Sequence, residues 1–280
     1  MRADGIRLKN MDPTYQVGIH IMKKRGDAIN MTTIDTPYAP MQEYINAKRR
    51  EGISISHLAL IISAYVRTLC EYPELNRFVV NKKIYARKEI WIMMVVLLEG
   101  DSHEGTTAKF KVELTDTIFD ITRKIEKFIE ENRKAPENNG TEKAIKVLLS
   151  VPGLLTCGVG IARWADKHGL VPKKILDISP FHISLGVTNL ASIRTNHIYH
   201  HCYEFGTTSI FLAMGIPREV PKTKNGQIVL EKSIPIGITM DERICSGSYF
   251  ASAFRVLKKY LNNPELLEVP PERIKQDPAL

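Results

Sequence analysis

Apolar residues recur at helical spacing in the first third of the chain. After Gly52, six large side chains lie three or four residues apart: Leu58, Ile61, Ile62, Tyr65, Val66 and Leu69. This spacing places them on one face of a helix, for which Ser54 or Ser56 is a suitable N-cap. The helix is expected to end at Tyr72-Pro73, because the residue before proline disfavours the helical conformation. A preceding helix is predicted over residues 40–50, with Gly52 as its stop signal.

Other segments have the patterns of strands. Residues 90–98 form a nearly continuous apolar run, with the length of a strand buried on both faces. A hairpin is predicted about Asn81-Lys82, and 221–227 is interpreted as a polar hairpin loop. Further strands are predicted at 109–114, 181–190, 209–215, 228–230 and 233–240. Because strands and helices alternate, the pattern predicts one α/β domain with a mixed sheet.

The middle third is predicted to be mostly helical, with helices over 116–133, 141–150 and 154–168. Residues 147–162 contain no charged side chain, but sixteen residues are fewer than the roughly 20 that span a bilayer. We interpret this run as a buried helix and expect Trp164 in the core. Gly158 and Gly160 are assigned to helix packing. Contact with a membrane surface is the less favoured alternative, and it predicts an exposed apolar patch.

The charge of the chain indicates the class of partner, and its cysteines indicate the redox state of its compartment. Lys and Arg total 39 against 31 Asp and Glu, which gives a formal charge of +8 and favours anionic partners. The basic residues lie in separate clusters such as 23–25, each interpreted as solvated surface, and no nucleic-acid-binding motif is present. The four cysteines form no CxxC pair, and no secretory signal opens the sequence. We therefore expect reduced thiols in a cytoplasmic protein.

Two segments carry an unusual constellation. Residues 54–85 contain a capped apolar helix followed by Pro73-Glu74-Leu75-Asn76 and a short hairpin. Residues 236–267 contain a strand, Asp241-Glu242-Arg243 with Gly247 four residues later, and a helix. Between them lies the segment 187–193. In this order they resemble the chloramphenicol acetyltransferase-like family, from about residue 12 to 267. The most similar branch is the catalytic domain of the dihydrolipoyl acyltransferase subunits of 2-oxo acid dehydrogenase complexes.

The resemblance implies a two-layer α/β sandwich with a mixed β-sheet, assembled as a homotrimer. It implies active sites in channels between subunits, with CoA entering at one end and the acyl acceptor at the other. We expect residues 1–280 to form a single catalytic domain, without the lipoyl and subunit-binding domains of the complex subunits. Small-molecule acyl donors and acceptors are the expected partners, with CoA or acyl-CoA as substrate and no metal.

The family's signature residues are partly replaced. Its motif, Asp-His-Arg-x-x-Asp-Gly, aligns with Asp241 to Gly247, so that Glu242 stands at the position of the basic His. Ser246 stands where the family has Asp or Asn, and Arg243 is retained. The family's oxyanion-stabilising Ser aligns with Thr188, followed by Asn189. Ser184 is a second candidate for this hydroxyl if the strand is shifted.

Acyl transfer requires a base for the acceptor's proton and a donor for the oxyanion. Thr188 would be the donor and Glu242 the base, although a carboxylate with a pKa of about 4.3 is a poor base unless burial raises that pKa. In the alternative interpretation Glu242 pairs with Arg243 or another cation and does no chemistry. Ser246 would hydrogen-bond Glu242 in either case.

Three histidines, His197, His200 and His201, lie within five residues. No fourth ligand stands at zinc spacing, so we expect no metal there. His200 and His201 are instead candidates for a second base or for ligand contact.

The leading hypothesis is a stand-alone, trimeric acyltransferase in which an open channel joins Glu242 to Thr188 of the same or a neighbouring chain. The alternative is a non-catalytic trimeric binding protein, a pseudoenzyme that keeps the channel but not the chemistry. That alternative predicts that a salt bridge neutralises Glu242.

Overall fold

The computed structural model describes residues 2–99, 105–133, 150 and 153–280. The predicted helix over 141–150 lies outside the described residues, apart from Ser150. The strands of the described ranges are β1 (Gly5–Arg7), β2 (Ile29–Pro37), β3 (Arg77–Val80), β4 (Lys83–Arg87), β5 (Ile90–Leu97), β6 (Gly105–Val112), β7 (Leu185–Asn189), β8 (Ile210–Met214), β9 (Arg218–Lys224) and β10 (Gln227–Asp241). The helices are α1 (Pro13–Ile21), α2 (Tyr38–Arg50), α3 (His57–Glu71), α4 (Ile118–Arg133), α5 (Leu154–His168), α6 (Lys173–Ile178) and α7 (Gly247–Asn262).

A seven-stranded mixed sheet organises the fold. Its strand order is β2-β10-β8-β7-β5-β6, and β9 pairs with β10 outside this path. The β5–β7 and β7–β8 pairs are parallel, whereas β10 is antiparallel to β8 and β2. A second sheet contains β1, β4 and β3. The predicted α/β class with a mixed sheet is therefore confirmed.

The two faces of the large sheet are covered differently. Alternate residues of β8, Ile210, Leu212 and Met214, belong to the main core together with residues of α3, α4 and α7. Phe211, between them, belongs to a smaller cluster with Met93, Ile183 and Cys202 on the opposite face. We call the face that carries Phe211 the outer face. Helices thus form one layer and the sheet the other, as expected for a strand whose side chains alternate between faces.

The hairpin region between β8 and α7 differs from its prediction. The segment 221–227 is not a loop, because β9 and β10 pair from Lys224 and Gln227 back to Arg218 and Ser233. The turn contains only Asn225 and Gly226, both with positive φ, which suits a two-residue hairpin turn. The predicted strands 228–230 and 233–240 are one continuous strand, β10.

The prediction that the uncharged run forms a buried helix was wrong for helix α5. The predicted bounds, 154–168, match the structure, but Asp166 is its one buried residue. Trp164, predicted to lie in the core, is 57% exposed. A Cβ atom built on Gly158 or Gly160 would meet nothing within 4 Å, so these glycines do not mediate packing within the described chain. Among the helices of the described ranges, none combines the length and the hydropathy that a membrane span requires.

Candidate active site

The turn after β10 presents the first candidate residue, Glu242. β10 ends at Asp241, whose backbone N–H donates to the Ser209 carbonyl at 2.9 Å. The Glu242 N–H then donates to the Ala28 carbonyl at 2.8 Å, which ties the turn to the start of β2. The Glu242 side chain is half-buried. Within the described residues it forms no ion pair, so the salt bridge expected for a neutralised Glu242 is not found there.

Arg243 has a different partner from the one proposed. Its guanidinium binds the fully buried carboxylate of Asp241, with Nε–Oδ1 and Nη2–Oδ2 distances of 2.8 and 2.6 Å. Burial acts to lower the pKa of Arg243, but the hydrogen bond and charge of Asp241 outweigh it, and the pKa is raised. Arg243 also donates to the Met22 carbonyl at 3.3 Å. It is a structural cation that holds the turn and not a partner of Glu242.

Arg25 completes this ion network, and the sequence interpretation missed it. Its Nε lies 3.4 Å from Asp241 Oδ2, and its other guanidinium nitrogens donate to the carbonyls of Tyr203 and Gly206. Arg25 is buried, so treating the whole 23–25 cluster as solvated surface was wrong. The network joins the segment before β2, the loop before β8 and the turn that carries Glu242. The Asp-x-Arg spacing indicates the pair of Asp241 and Arg243. The third residue of the network, Arg25, lies far away in the sequence, so no local pattern indicates it.

Ser246 has a structural role in this turn. Its Oγ accepts from the Tyr249 N–H at 3.2 Å, which makes it the N-cap of α7. The hydroxyl also lies 2.9 Å from the Ser248 hydroxyl. The described part of the chain contains no hydrogen bond between Ser246 and Glu242, so the predicted contact between them is not found.

Thr188 lies near the opposite end of the sheet, at the end of β7. Its Oγ1 is buried and has no hydrogen-bond partner, and the same is true of the Asn189 Oδ1. A buried hydroxyl without a partner costs free energy, so a ligand that accepted a hydrogen bond from it would relieve that cost. Ser184, the alternative donor, is occupied: it accepts from the Trp91 N–H at 3.1 Å and donates to the Glu89 carbonyl at 3.3 Å.

The strand register separates Thr188 from Glu242 within one chain. Thr188 pairs with Ala213, and Ala213 pairs with Gly237. Asp241 lies four residues beyond Gly237 on β10. At about 3.4 Å per residue and about 4.8 Å per strand, this is roughly 14 Å along the sheet and roughly 10 Å across it. One acyl carbonyl cannot contact both side chains of a single chain.

The histidine segment crosses the outer face. The His197 Nε2 and the Tyr199 hydroxyl lie 2.9 and 2.7 Å from the Thr33 hydroxyl of β2. A Cβ on Gly237 would come within 2.1 Å of the Ile198 carbonyl oxygen, so glycine is needed for this close approach. The segment is therefore held against the sheet at the same level as Thr188.

His200 lies flat against the outer face. Its ring stacks on Phe211 with a centroid distance of 3.9 Å and an interplanar angle of 4°. Its Nδ1 lies 3.0 Å from the His201 carbonyl, and a carbonyl only accepts, so Nδ1 donates and Nε2 is the basic nitrogen. Burial lowers the pKa of His200, which favours the neutral ring. His201 is exposed.

A basic cavity of about 330 Å³ lies beside the Arg243 turn. It is lined by side chains of the 23–25 segment, the β3–β4 hairpin, the C-terminal half of α5 and the loop at 204–206. Groups of three or more His, Cys, Asp or Glu placed to hold a metal ion do not occur among the described residues.

Comparisons with known proteins identify the fold. Residues 204–269, which contain the Asp241–Gly247 turn, match the family described as 2-oxoacid dehydrogenases acyltransferase (catalytic domain). The dihydrolipoamide acetyltransferase of Azotobacter vinelandii superposes with a TM-score of 0.60 at 10% identity, over 94% of this chain and 93% of that one. The chain has the acyltransferase catalytic-domain fold. The resemblance inferred from the sequence is therefore confirmed.

Two further relatives agree with this acyltransferase fold. A chloramphenicol acetyltransferase superposes with a TM-score of 0.55 at 9% identity, over 92% of this chain and 99% of that one. The dihydrolipoyllysine-residue acetyltransferase component of the acetoin cleaving system of Bacillus subtilis is 24% identical over 243 residues. That alignment covers 85% of this chain and 50% of the relative, so the chain spans about half the length of the curated protein it matches.

Proposed function

We propose that this chain transfers an acyl group between CoA and a thiol, hydroxyl or amine acceptor, and that it does so as a homotrimer. The observation that carries the proposal is the buried, unpartnered hydroxyl of Thr188 on a sheet with the acyltransferase fold. An orphaned donor at the end of a strand is suited to an oxyanion that is present only during the reaction.

The separation of the two candidate groups supports an oligomer, and the acyltransferase fold favours three copies. Thr188 and Glu242 lie near opposite ends of the sheet within one chain, so a shared site requires Thr188 of one copy and Glu242 of another. Heterologous contacts related by a three-fold rotation would close a ring of three copies with three equivalent sites. In the Azotobacter protein, the roles of one Ser, one His and one Asn in the catalytic mechanism have been investigated. We propose that Thr188, Glu242 and Ser246 take the corresponding positions in this chain.

In the proposed reaction the acceptor's proton passes to the base as the acceptor attacks the thioester carbonyl. The carbonyl oxygen becomes an oxyanion, to which the Thr188 hydroxyl donates. Collapse of the intermediate breaks the carbon–sulfur bond, and the proton returns to the CoA sulfur. Glu242 is the proposed base: its backbone N–H donates to the Ala28 carbonyl, and its side chain forms no ion pair within the described residues. The Nε2 of His200 is the alternative base, because it faces no hydrogen-bond partner in the described chain.

A thermal-shift titration with CoA and several acyl-CoAs tests the proposal directly. A ligand that binds only the folded protein adds about 2.7 kcal/mol at a hundredfold excess over its Kd, which raises the Tm by a few degrees. We expect a saturable rise, and a trimer by light scattering. A monomer, or no rise with any acyl-CoA, would favour the non-catalytic binding protein.

Replacing Thr188 by Val is expected to lower the acyl-transfer rate by about 10²–10³-fold, because the oxyanion loses its donor. Thr188→Ser keeps a hydroxyl and is expected to retain most of the rate. The stability of Thr188→Val should not fall, since the lost hydroxyl has no partner in the folded chain. The measurements are the rate of CoA release and the Tm. Equal rates for the Val and Ser variants would contradict the assignment of Thr188.

A further inference from the structure

Helix α5 leaves an apolar surface uncovered. Its first nine residues, 154–162, contain no charged side chain. Ile161 is 62% exposed and Trp164 57% exposed. A helix that is apolar around its whole circumference is normally enclosed by protein or by lipid. The described part of the chain does not enclose α5.

The exposed apolar side chains are concentrated in this part of the chain. Of the 24 large hydrophobic residues that are exposed in the described ranges, eight lie between Leu154 and Ile178. Ile178, at the end of α6, is 78% exposed. Singly scattered apolar residues are normal on a protein surface, whereas five of these eight lie on the single helix α5.

A basic cavity adjoins this apolar surface. Arg163 and Lys167, in the last turns of α5, line the 330 Å³ cavity together with Lys23, Lys24 and Lys82. None of these five cations forms an ion pair within the described residues. The two acids of the lining are already engaged: Asp166 binds Arg2 at 2.7 Å, and Glu204 accepts from the Arg25 N–H at 2.7 Å. The cavity is therefore positively charged and open to an anion.

We propose that α5 lies in the interfacial region of an anionic membrane, with a lipid phosphate in the basic cavity. An apolar helix flanked by Lys and Arg binds by burying its apolar residues among acyl chains while its cations meet lipid phosphates. A two-fold contact between copies through this surface would place the unpaired cations of both copies close together, and like charges across an interface are unfavourable. A heterologous contact, as in the proposed trimer, does not have this cost, and the oligomer mass measured below distinguishes it from membrane binding.

Sedimentation with vesicles tests this proposal. We expect the full chain to bind vesicles that contain phosphatidylglycerol, to bind pure phosphatidylcholine vesicles weakly, and to dissociate as salt is raised. Trp164 is one of two tryptophans, and Trp91 is half-buried in the sheet. Binding should therefore shift the fluorescence emission to shorter wavelength, and Trp164→Phe should remove most of that shift.

Matched variants separate the apolar and the electrostatic contributions. Ile161→Ser is expected to weaken binding, whereas Ile228→Ser, at a position 79% exposed on β10, should not. Lys82→Gln and Lys24→Gln should each weaken binding roughly fivefold, as each removes one cation near the lipid phosphates. Lys127→Gln on α4, whose side chain is 76% exposed, is the control and should have little effect.

Three results would overturn the proposal. The first is an absence of binding to anionic vesicles, or binding that the Ile161 and Lys variants leave unchanged. The second is a lower oligomer mass for Ile161→Ser, which would assign the surface to a second copy. The third is a loss of CoA-induced stabilisation in Lys24→Gln and Lys82→Gln with vesicle binding intact, which would assign the cavity to CoA. The first two results are independent of the proposed acyl transfer, and the third applies only if CoA stabilises the unmodified chain.

Discussion

Glu242→Gln is expected to lower the rate of CoA release by about 10²–10⁴-fold while leaving the oligomer intact. A positioned general base contributes a factor of this size, and the amide of Gln has nearly the same shape but does not accept the proton. The backbone bond from Glu242 to Ala28 is unaffected by the change, so the turn should keep its conformation. The measurements are the rate of CoA release from acyl-CoA and the mass by light scattering.

Two further variants make this result specific. Glu219→Gln changes an exposed acid of β9 and should leave the rate unchanged. His200→Gln removes the alternative base. If Glu242→Gln retains its turnover and His200→Gln loses it, the base is His200 and the assignment of Glu242 fails.

The double variant Glu242→His, Ser246→Asp restores the family's motif and is expected to raise the rate if the rest of the site is competent. The structure favours this test, because Ser246 caps α7 and Asp is an equally good N-cap whose charge suits a helix N-terminus. No gain in rate would indicate that the site has diverged beyond its base.

Asp241→Asn is expected to lower the free energy of unfolding by about 3–5 kcal/mol, because it leaves two buried guanidinium groups without their counter-ion. Asp241 is fully buried, and both Arg243 and Arg25 bind its carboxylate. A loss of this size is a large part of the roughly 5–15 kcal/mol that stabilises a typical domain. The activity should fall as well, since the same ion network holds the turn that carries Glu242. Denaturant unfolding measures the change.

The matched control is Asp35→Asn. Asp35 pairs with Arg218 at 3.2 Å, and the two side chains are 31% and 43% exposed. An exposed ion pair contributes less than about 1 kcal/mol, so this variant should unfold almost as the unmodified chain does. Similar losses of unfolding free energy for the two Asn variants would show that the buried network stabilises the fold no more than an exposed ion pair does.

Several local features of the fold could be predicted because they depend on neighbouring residues. The Ser56 cap of α3 and the hairpin at Asn81-Lys82 were found where the sequence placed them. The segment 218–241 was not predicted correctly, because β9 is polar and its pairing with β10 comes from a turn signal that was read as a longer loop. The exposure of α5 could not be predicted either, because an apolar composition indicates that a helix needs to be covered but does not identify what covers it.

At the candidate site the sequence determined which side chains are present and how they are spaced. Asp241, Glu242 and Arg243 are adjacent, so their common turn was foreseeable, as was a hydroxyl at Thr188. Contacts between distant segments, and the start of α7, determine the rest: Arg243 binds Asp241, Arg25 joins them, and Ser246 caps a helix. The tertiary structure also decided that Thr188 and Glu242 are separated along the sheet, because strand register and long-range ion pairs depend on segments far apart in the chain.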